Sequence, residues 1–290
     1  MNKVIEVKAR TEATAAPDAE SAGTPAVVRK KRHVRRRIGP LDIALGALIP
    51  VVGIAIWQFY SGSGRVDSFF LPSPLLIAST VADLGATGEL FTHTGISLQR
   101  VLLGFLLGGG LGLIAGLLVG FSKRGEELFD PMLQLLRMTP NLAVAPLFIL
   151  WFGFGELSKV VIIANGAFFP MYVNAVLGIR SVDNRLYEVS KVLAYSRFDT
   201  IRRLILPSSV PQLLLGVRLS LAVSWLSVVV AELINSTSGI GYLIYYGQYN
   251  SRTELIFVGI LIFAVAGKGI DSLVRLLERR LLGWRDTYKG

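Results

Sequence analysis

Residues 183–207 read DNRLYEVSKVLAYSRFDTIRRLILP, a polar and basic stretch set between two long apolar runs. Arg180, Arg185, Lys191, Arg197, Arg202 and Arg203 all precede Pro207, so the stretch cannot lie in hydrocarbon and belongs on the cytoplasmic side of a membrane. Its interior has helical periodicity: Leu186, Val189, Val192 and Leu193 recur at three- and four-residue spacing, and Phe198, Ile201 and Ile205 continue a second stripe beyond Tyr195-Ser196. The spacing predicts two short amphipathic helices, ended at Leu206-Pro207 because proline carries no backbone donor. A helix pair of this kind on a membrane protein suits a soluble partner.

The rest of the chain makes the membrane plain. Of 290 residues 52% are hydrophobic and only 17% charged, with mean hydropathy +0.55, far too apolar for a soluble domain of this size. There is no cysteine, and His33 and His93 are the two histidines, so disulfides, thiolate sites and a clustered metal site are not expected. The net charge of +10 does not point to nucleic acid, because the cations fall in short clusters between apolar runs as the positive-inside rule places them. The run Arg29 to Arg37 (RKKRHVRRR) is expected to face the cytoplasm and anionic lipid. Residues 1–38 lack an apolar period and read as a disordered basic tail, retained and cytoplasmic, ahead of a transmembrane domain at 39–290.

Six spans are expected, at about 41–60, 96–121, 132–152, 159–179, 211–234 and 255–276, with both termini cytoplasmic. Leu75 to Leu90, after Leu71-Pro72-Ser73-Pro74, has a weak helical pattern suited to the membrane interface. Gly104, Gly108, Gly112, Gly116 and Gly120 fall on one helix face and form a groove for close packing of another helix; no Lys-Ser/Thr follows, so this is not a phosphate loop. Lys123 and Arg124 read as a short internal loop. Span three carries Arg137, Thr139-Pro140-Asn141 and Pro146 and should be broken or kinked; span four carries Asn165, Pro170 and Asn174. Paired interrupted helices suit a polar translocation path, for which Arg137, Asn141, Asn165, Asn174 and Glu232 are the candidates. Pairing of Arg137 with Glu232 or with backbone, for structure alone, is the alternative. Gly239-Ile240-Gly241-Tyr242 is expected as a tight external turn before a short helix.

No catalytic set is apparent: there is no Walker lysine loop, no nucleophile beside a base, and no paired carboxylates. Energy for uphill transport must then come from a partner. Glu188-Val189-Ser190, Ala194 six residues after the glutamate, and Leu204-Ile205-Leu206-Pro207 resemble the EAA signature of importer permeases of the ATP-binding cassette class, with Val189-Ser190 in place of two alanines and Ala194 in place of a glycine. The resemblance covers about 71–285, through Leu71-Pro72-Ser73-Pro74, Met138-Thr139-Pro140, Ala145 to Gly153, Gly216-Val217-Arg218, Ala231-Glu232, Ser238 to Leu243 and Leu276 to Arg279. It is strongest to the nitrate, sulfonate and taurine import group, and within it to aliphatic sulfonate permeases.

The resemblance implies an all-α six-span permease of type I fold, a homodimer of this chain, two cytoplasmic ATP-binding cassette subunits and an extracytoplasmic substrate-binding protein, in a bacterial plasma membrane. ATP and Mg²⁺ are then bound by the ATPase and not by this chain. It further implies that Glu188 to Pro207 is the coupling segment, including Ser190, Lys191, Ala194, Leu206 and Pro207. Within it Glu188 and Arg197 offer polar contacts to the ATPase, and Leu193 and Phe198 offer apolar knobs. Taurine, nitrate, bicarbonate or a thiamine-precursor pyrimidine are alternative solutes. A gradient-driven secondary transporter is the rival class, but Glu232 and Asp271 sit near span ends and it gives the basic loop no purpose.

Overall fold

The computed structural model describes residues 40–234 and 236–282; the basic tail of the sequence reading lies outside them. All packing given below lies within the unit Ile49–Gly290. The described residues form helices and connecting turns, with no strand among them. They run as α1 (Pro40–Gly62), α2 (Pro74–Ala86), α3 (Glu89–Phe121), α4 (Lys123–Arg137), α5 (Asn141–Phe152), α6 (Glu156–Arg180), α7 (Asn184–Val192), α8 (Arg197–Thr200), a π-helical turn (Ile201–Ile205), α9 (Leu206–Ile234), α10 (Ile240–Tyr249) and α11 (Thr253–Leu281).

The centre of the bundle is the parallel pair α3 and α6, and the glycine stripe sets its spacing. A Cβ at Gly104 would stand 2.5 Å from Ile163 Cγ2, and one at Gly116 2.5 Å from Ala175 Cβ. At Gly108 and Gly112 it would meet the backbone of Ala164 and Phe168, and at Gly120 the Ile179 side chain. Only glycine lets these backbones approach so closely. On the other face of α6, α9 packs antiparallel: Ser209 Oγ donates to Gly178 O (2.8 Å), Ser220 Oγ to Ala167 O (2.6 Å), and Gln212 Nε2 to Asn174 Oδ1 (2.8 Å). Small hydroxyls thus join two helices where water is excluded. Trp225 of α9 stacks on Phe263 of α11 at 4.6 Å between ring centroids. Ile162, Ile163, Val228, Ile240 and Val258 form the core where α6, α9, α10 and α11 meet.

Several boundaries differ from the sequence reading. Four helices among the described residues are long and apolar enough to cross a membrane, or five if α4 and α5 count as one bent span, against the six expected. The described apolar part of α1, Leu48–Gly62, is short of a full span. Span three is broken, as its prolines lead one to expect, into two helices bent by 99°, but its boundaries shift. Residues 132–137 finish α4, an amphipathic helix that begins at Lys123, so Lys123 and Arg124 are not a loop. The bend falls at Met138–Pro140 because Pro140 has no donor and restricts Thr139 to extended backbone. Ser122 caps α4 by accepting from Gly125 N (3.0 Å), and α4 is tied to α6 by Tyr172 Oη donating to Asp130 Oδ1 (3.0 Å) and by the Arg180–Glu126 ion pair.

The expected stop at Pro207 is absent as well. The helix runs continuously from Arg197 to Ile234. The π turn absorbs the proline: Leu206 N reaches back five residues to Ile201 O, widening the turn before the ring. The turn before α10 lies earlier than expected. Gly239 precedes the helix at φ +112°, and Ile240-Gly241-Tyr242 already form its first turn.

Candidate functional site

The basic loop of the opening stretch is a helix–turn–helix. Asp183 starts α7 by accepting from Arg185 N (2.9 Å). Ser196 starts α8, accepting from Asp199 N (3.1 Å) while its hydroxyl donates to the Asp199 carboxylate (2.6 Å). Between them the chain closes as a Schellman motif: Tyr195 N donates to Ser190 O (3.0 Å) and Ala194 N to Lys191 O (3.1 Å). Ala194 holds the left-handed position with φ +52°. This is the position where the resembled signature has glycine; alanine takes the same conformation here, at a cost of order 1 kcal/mol.

The loop divides into a buried and an exposed side. Ser190 is buried, and Ile179, Val182 and Ile205 form an apolar cluster beneath, with Ile201 and Leu204 against it. Val192 is 86% and Phe198 69% exposed, and Val189 and Leu193 more than half exposed; Glu188 and Arg197 are exposed too. Leu206 and Pro207, expected to close the segment, are exposed residues of the continuing helix. Large apolar side chains next to six cations do not suit hydrocarbon, and they leave an exposed apolar face on the loop.

Four of the five proposed path residues come together. Arg137, Asn141, Asn165 and Asn174 line one cavity of about 520 Å³ at the α4–α5 bend, with Thr139, Phe169, Pro170 and Val223 among the other walls. Asn141 Nδ2 donates to Ser227 Oγ (2.8 Å) and Ile162 O (3.2 Å), and its Oδ1 accepts from Asn165 Nδ2 (2.9 Å). Asn174 Nδ2 donates to Pro170 O (2.7 Å). Arg137 is exposed and has no ion-pair partner among the described residues. The cavity therefore offers one uncompensated cation beside a fixed amide network, a polarity that favours an anion.

Glu232 is not part of it, and the considered Arg137–Glu232 pair does not form. Glu232 is wholly buried with Arg100, whose Nη1 lies 2.7 Å from Oε1. Its carboxylate also accepts from Ser97 Oγ (2.8 and 2.9 Å) and from Gly241 N (2.8 Å). Arg100 in turn clasps Glu156 with Nε and Nη2, both at 2.7 Å, and donates to Ser238 O (2.6 Å); Lys159 Nζ adds a 2.8 Å bond to Glu156. This network joins α3, α6, α9 and the start of α10. The sequence reading passed over Arg100, although an arginine inside the apolar run 96–121 is the signal that marks such a site.

The comparisons with known proteins agree with this geometry. A family model described as binding-protein-dependent transport system inner membrane component matches residues 108–283. A Bacillus subtilis (strain 168) protein named as an aliphatic sulfonates transport permease, SsuC, is 52% identical over 276 residues, 94% of this chain and 99% of that protein. The Escherichia coli K12 protein of the same name is 41% identical over 240 residues, covering 83% and 91%. Among solved structures, an amino acid ABC transporter with histidines matches with a TM-score of 0.58 at 19% identity, over 69% of this chain and 97% of that one, a likeness of fold alone.

Proposed function

Because the chain belongs to the family of binding-protein-dependent transport system inner membrane components, we propose that it is the permease of an ATP-driven importer of small organic anions, aliphatic sulfonates first among them. ATP hydrolysis is carried by a separate subunit, and the chain itself is not an enzyme. The observation that carries the reading is the exposed loop 183–207, a capped helix–turn–helix with bare apolar side chains at the end of the bundle where α6 stops and α9 begins.

In this reading that end faces the cytoplasm of a bacterial plasma membrane and both termini lie there. Two ATP-binding cassette subunits, carrying ATP and Mg²⁺, dock on the loops of two copies of this chain. Glu188 makes polar contacts to the ATPase and Leu193 and Phe198 fill hollows on it, while the Ala194 turn fixes the angle between α7 and α8. The loop continues without a break into α9, which contacts α6, so movement of the ATPases passes directly into the wall of the polar cavity. Arg137 and the Asn141–Asn165 pair then meet the sulfonate released by an extracytoplasmic binding protein.

The test is uptake of labelled ethanesulfonate by cells expressing the chain with its ATPase and binding protein, wild type against Arg137→Gln. ATP-dependent uptake is expected, and Arg137→Gln should reduce it by about tenfold for the loss of one charge-assisted contact. Uptake that follows an ion gradient without ATP would overturn the reading in favour of a secondary transporter. Uptake of taurine, nitrate or bicarbonate in place of sulfonate would move the substrate and keep the importer.

A further inference from the structure

Behind the docking loop lies a second cavity, of about 700 Å³. Its floor is made by the last residues of two long apolar helices, Gly120 and Phe121 of α3 and Ile179 of α6, with Val182, Ile201 and Ile205. Its other walls are polar and cationic: Arg180, Lys191 and Arg197, with Tyr195 and Thr200. Arg180 is held by Glu126, but Lys191 and Arg197 have no ion-pair partner among the described residues. The most exposed apolar side chains of the loop, Val192, Leu193 and Phe198, are not among its described walls, so the apolar part of the docking face lies outside the cavity, while Lys191 and Arg197 of the coupling segment line it.

We infer that this cavity binds the phosphate headgroup of an anionic membrane lipid, its acyl chain entering over Phe121 and Ile179. The placement favours lipid over a segment of the ATPase. The floor is the point where two spans end, so it stands at the height of the headgroups, and cationic recesses between helices at the cytoplasmic face suit anionic headgroups. Lys191 and Arg197 are the cations, and Tyr195 and Thr200 line the cavity with them. A lipid held there touches α3, α6, α7 and α8 together and thereby braces the loop against the bundle. The inference rests on the reading that this end faces the cytoplasmic leaflet.

The experiment titrates the full-length chain in neutral detergent with phosphatidylglycerol or phosphatidylcholine and counts bound lipid by native mass spectrometry. Three proteins are compared, all carrying the same basic tail: wild type, Lys191→Gln/Arg197→Gln, and Thr200→Trp, which fills the cavity and keeps both charges. Wild type should prefer phosphatidylglycerol. The double variant should lose about twenty-five-fold of that preference, at about fivefold per charge, and Thr200→Trp should lose the bound lipid at unchanged charge. Equal retention by all three proteins would overturn the inference. So would displacement of the lipid by inorganic phosphate, which would make the site one for a free anion, or by the docked ATPase, which would make it part of that interface. Co-purification of the ATPase is read separately, so failure of lipid binding leaves the importer reading intact.

Discussion

Replacing Arg100 by methionine removes the one cation that, among the described residues, pairs with the wholly buried Glu232 carboxylate, and leaves that charge with Ser97 Oγ and Gly241 N. Breaking a buried pair from one side costs about 3–5 kcal/mol, because the remaining charge has no water and no counterion. Glu156 contributes little to the loss: it is 62% exposed at the side chain and keeps Lys159. For a protein of this size each kcal/mol moves the melting temperature by about 2–4 °C, so Arg100→Met should melt about 6–20 °C lower. The companion Arg100→Met/Glu232→Gln removes the orphaned charge while keeping an acceptor for Ser97 and Gly241, and should recover more than half of the drop. Both are measured on the full-length chain in one detergent by intrinsic fluorescence at a fixed scan rate. A single variant that melts within about 1 °C of wild type, or a double variant as unstable as the single, would refute the argument that the pair holds α3, α9 and α10 together.

Ala194→Gly relieves the left-handed strain at the loop turn and should stabilise the chain by about 0.5–1 kcal/mol, or leave it unchanged if the gain is lost to unfolded-chain entropy; destabilisation on a thermal melt would contradict the φ assignment. Gly108→Val drives a side chain into the Ala164 backbone, and the separation of α3 and α6 should cost about 1–3 kcal/mol or more, read as lower yield of folded protein, whereas the same change at Gly110, where a Cβ meets open space, should cost about 1 kcal/mol or less. Leu193→Lys and Glu188→Lys are expected to abolish uptake at normal membrane abundance by uncoupling the ATPase, and normal uptake with normal ATPase association would remove both residues from the interface.

The sequence carried the fold furthest where a single physical demand dominated. The glycine stripe on α3 could only mean close packing, and it meets α6 at every fourth residue. The loop 183–207 was legible because cations are excluded from hydrocarbon; its first amphipathic stripe became α7, while the second runs from Phe198 in α8 into the π turn and so opens a long helix instead of forming a short one. The stop at Pro207 was misread because a proline ends a helix only when the turn before it cannot widen, and the π turn at Ile201–Ile205 widens it. Span three was overextended because Met132, Leu135 and Leu136 are apolar, while the opposite face of α4, with Glu126, Glu127 and Asp130, makes the helix amphipathic. The polar cavity was partly legible: Arg137, Asn141, Asn165 and Asn174 are costly at membrane depth, and the fold gathers them. Glu232 satisfied the same criterion for another reason, since its partner Arg100 lies 132 positions away and only the packed bundle brings them together.

The central claim is that the loop 183–207 couples a separate ATPase to a substrate path through this chain. The most direct measurement is ATPase activity of the complex purified by a tag on this chain, with the ATPase co-expressed, before and after addition of the binding protein loaded with ethanesulfonate. The account predicts stable co-purification, stimulation by the loaded binding protein, and loss of the complex with Leu193→Lys. A chain that retains no ATPase, with wild-type loop and intact fold, would contradict it.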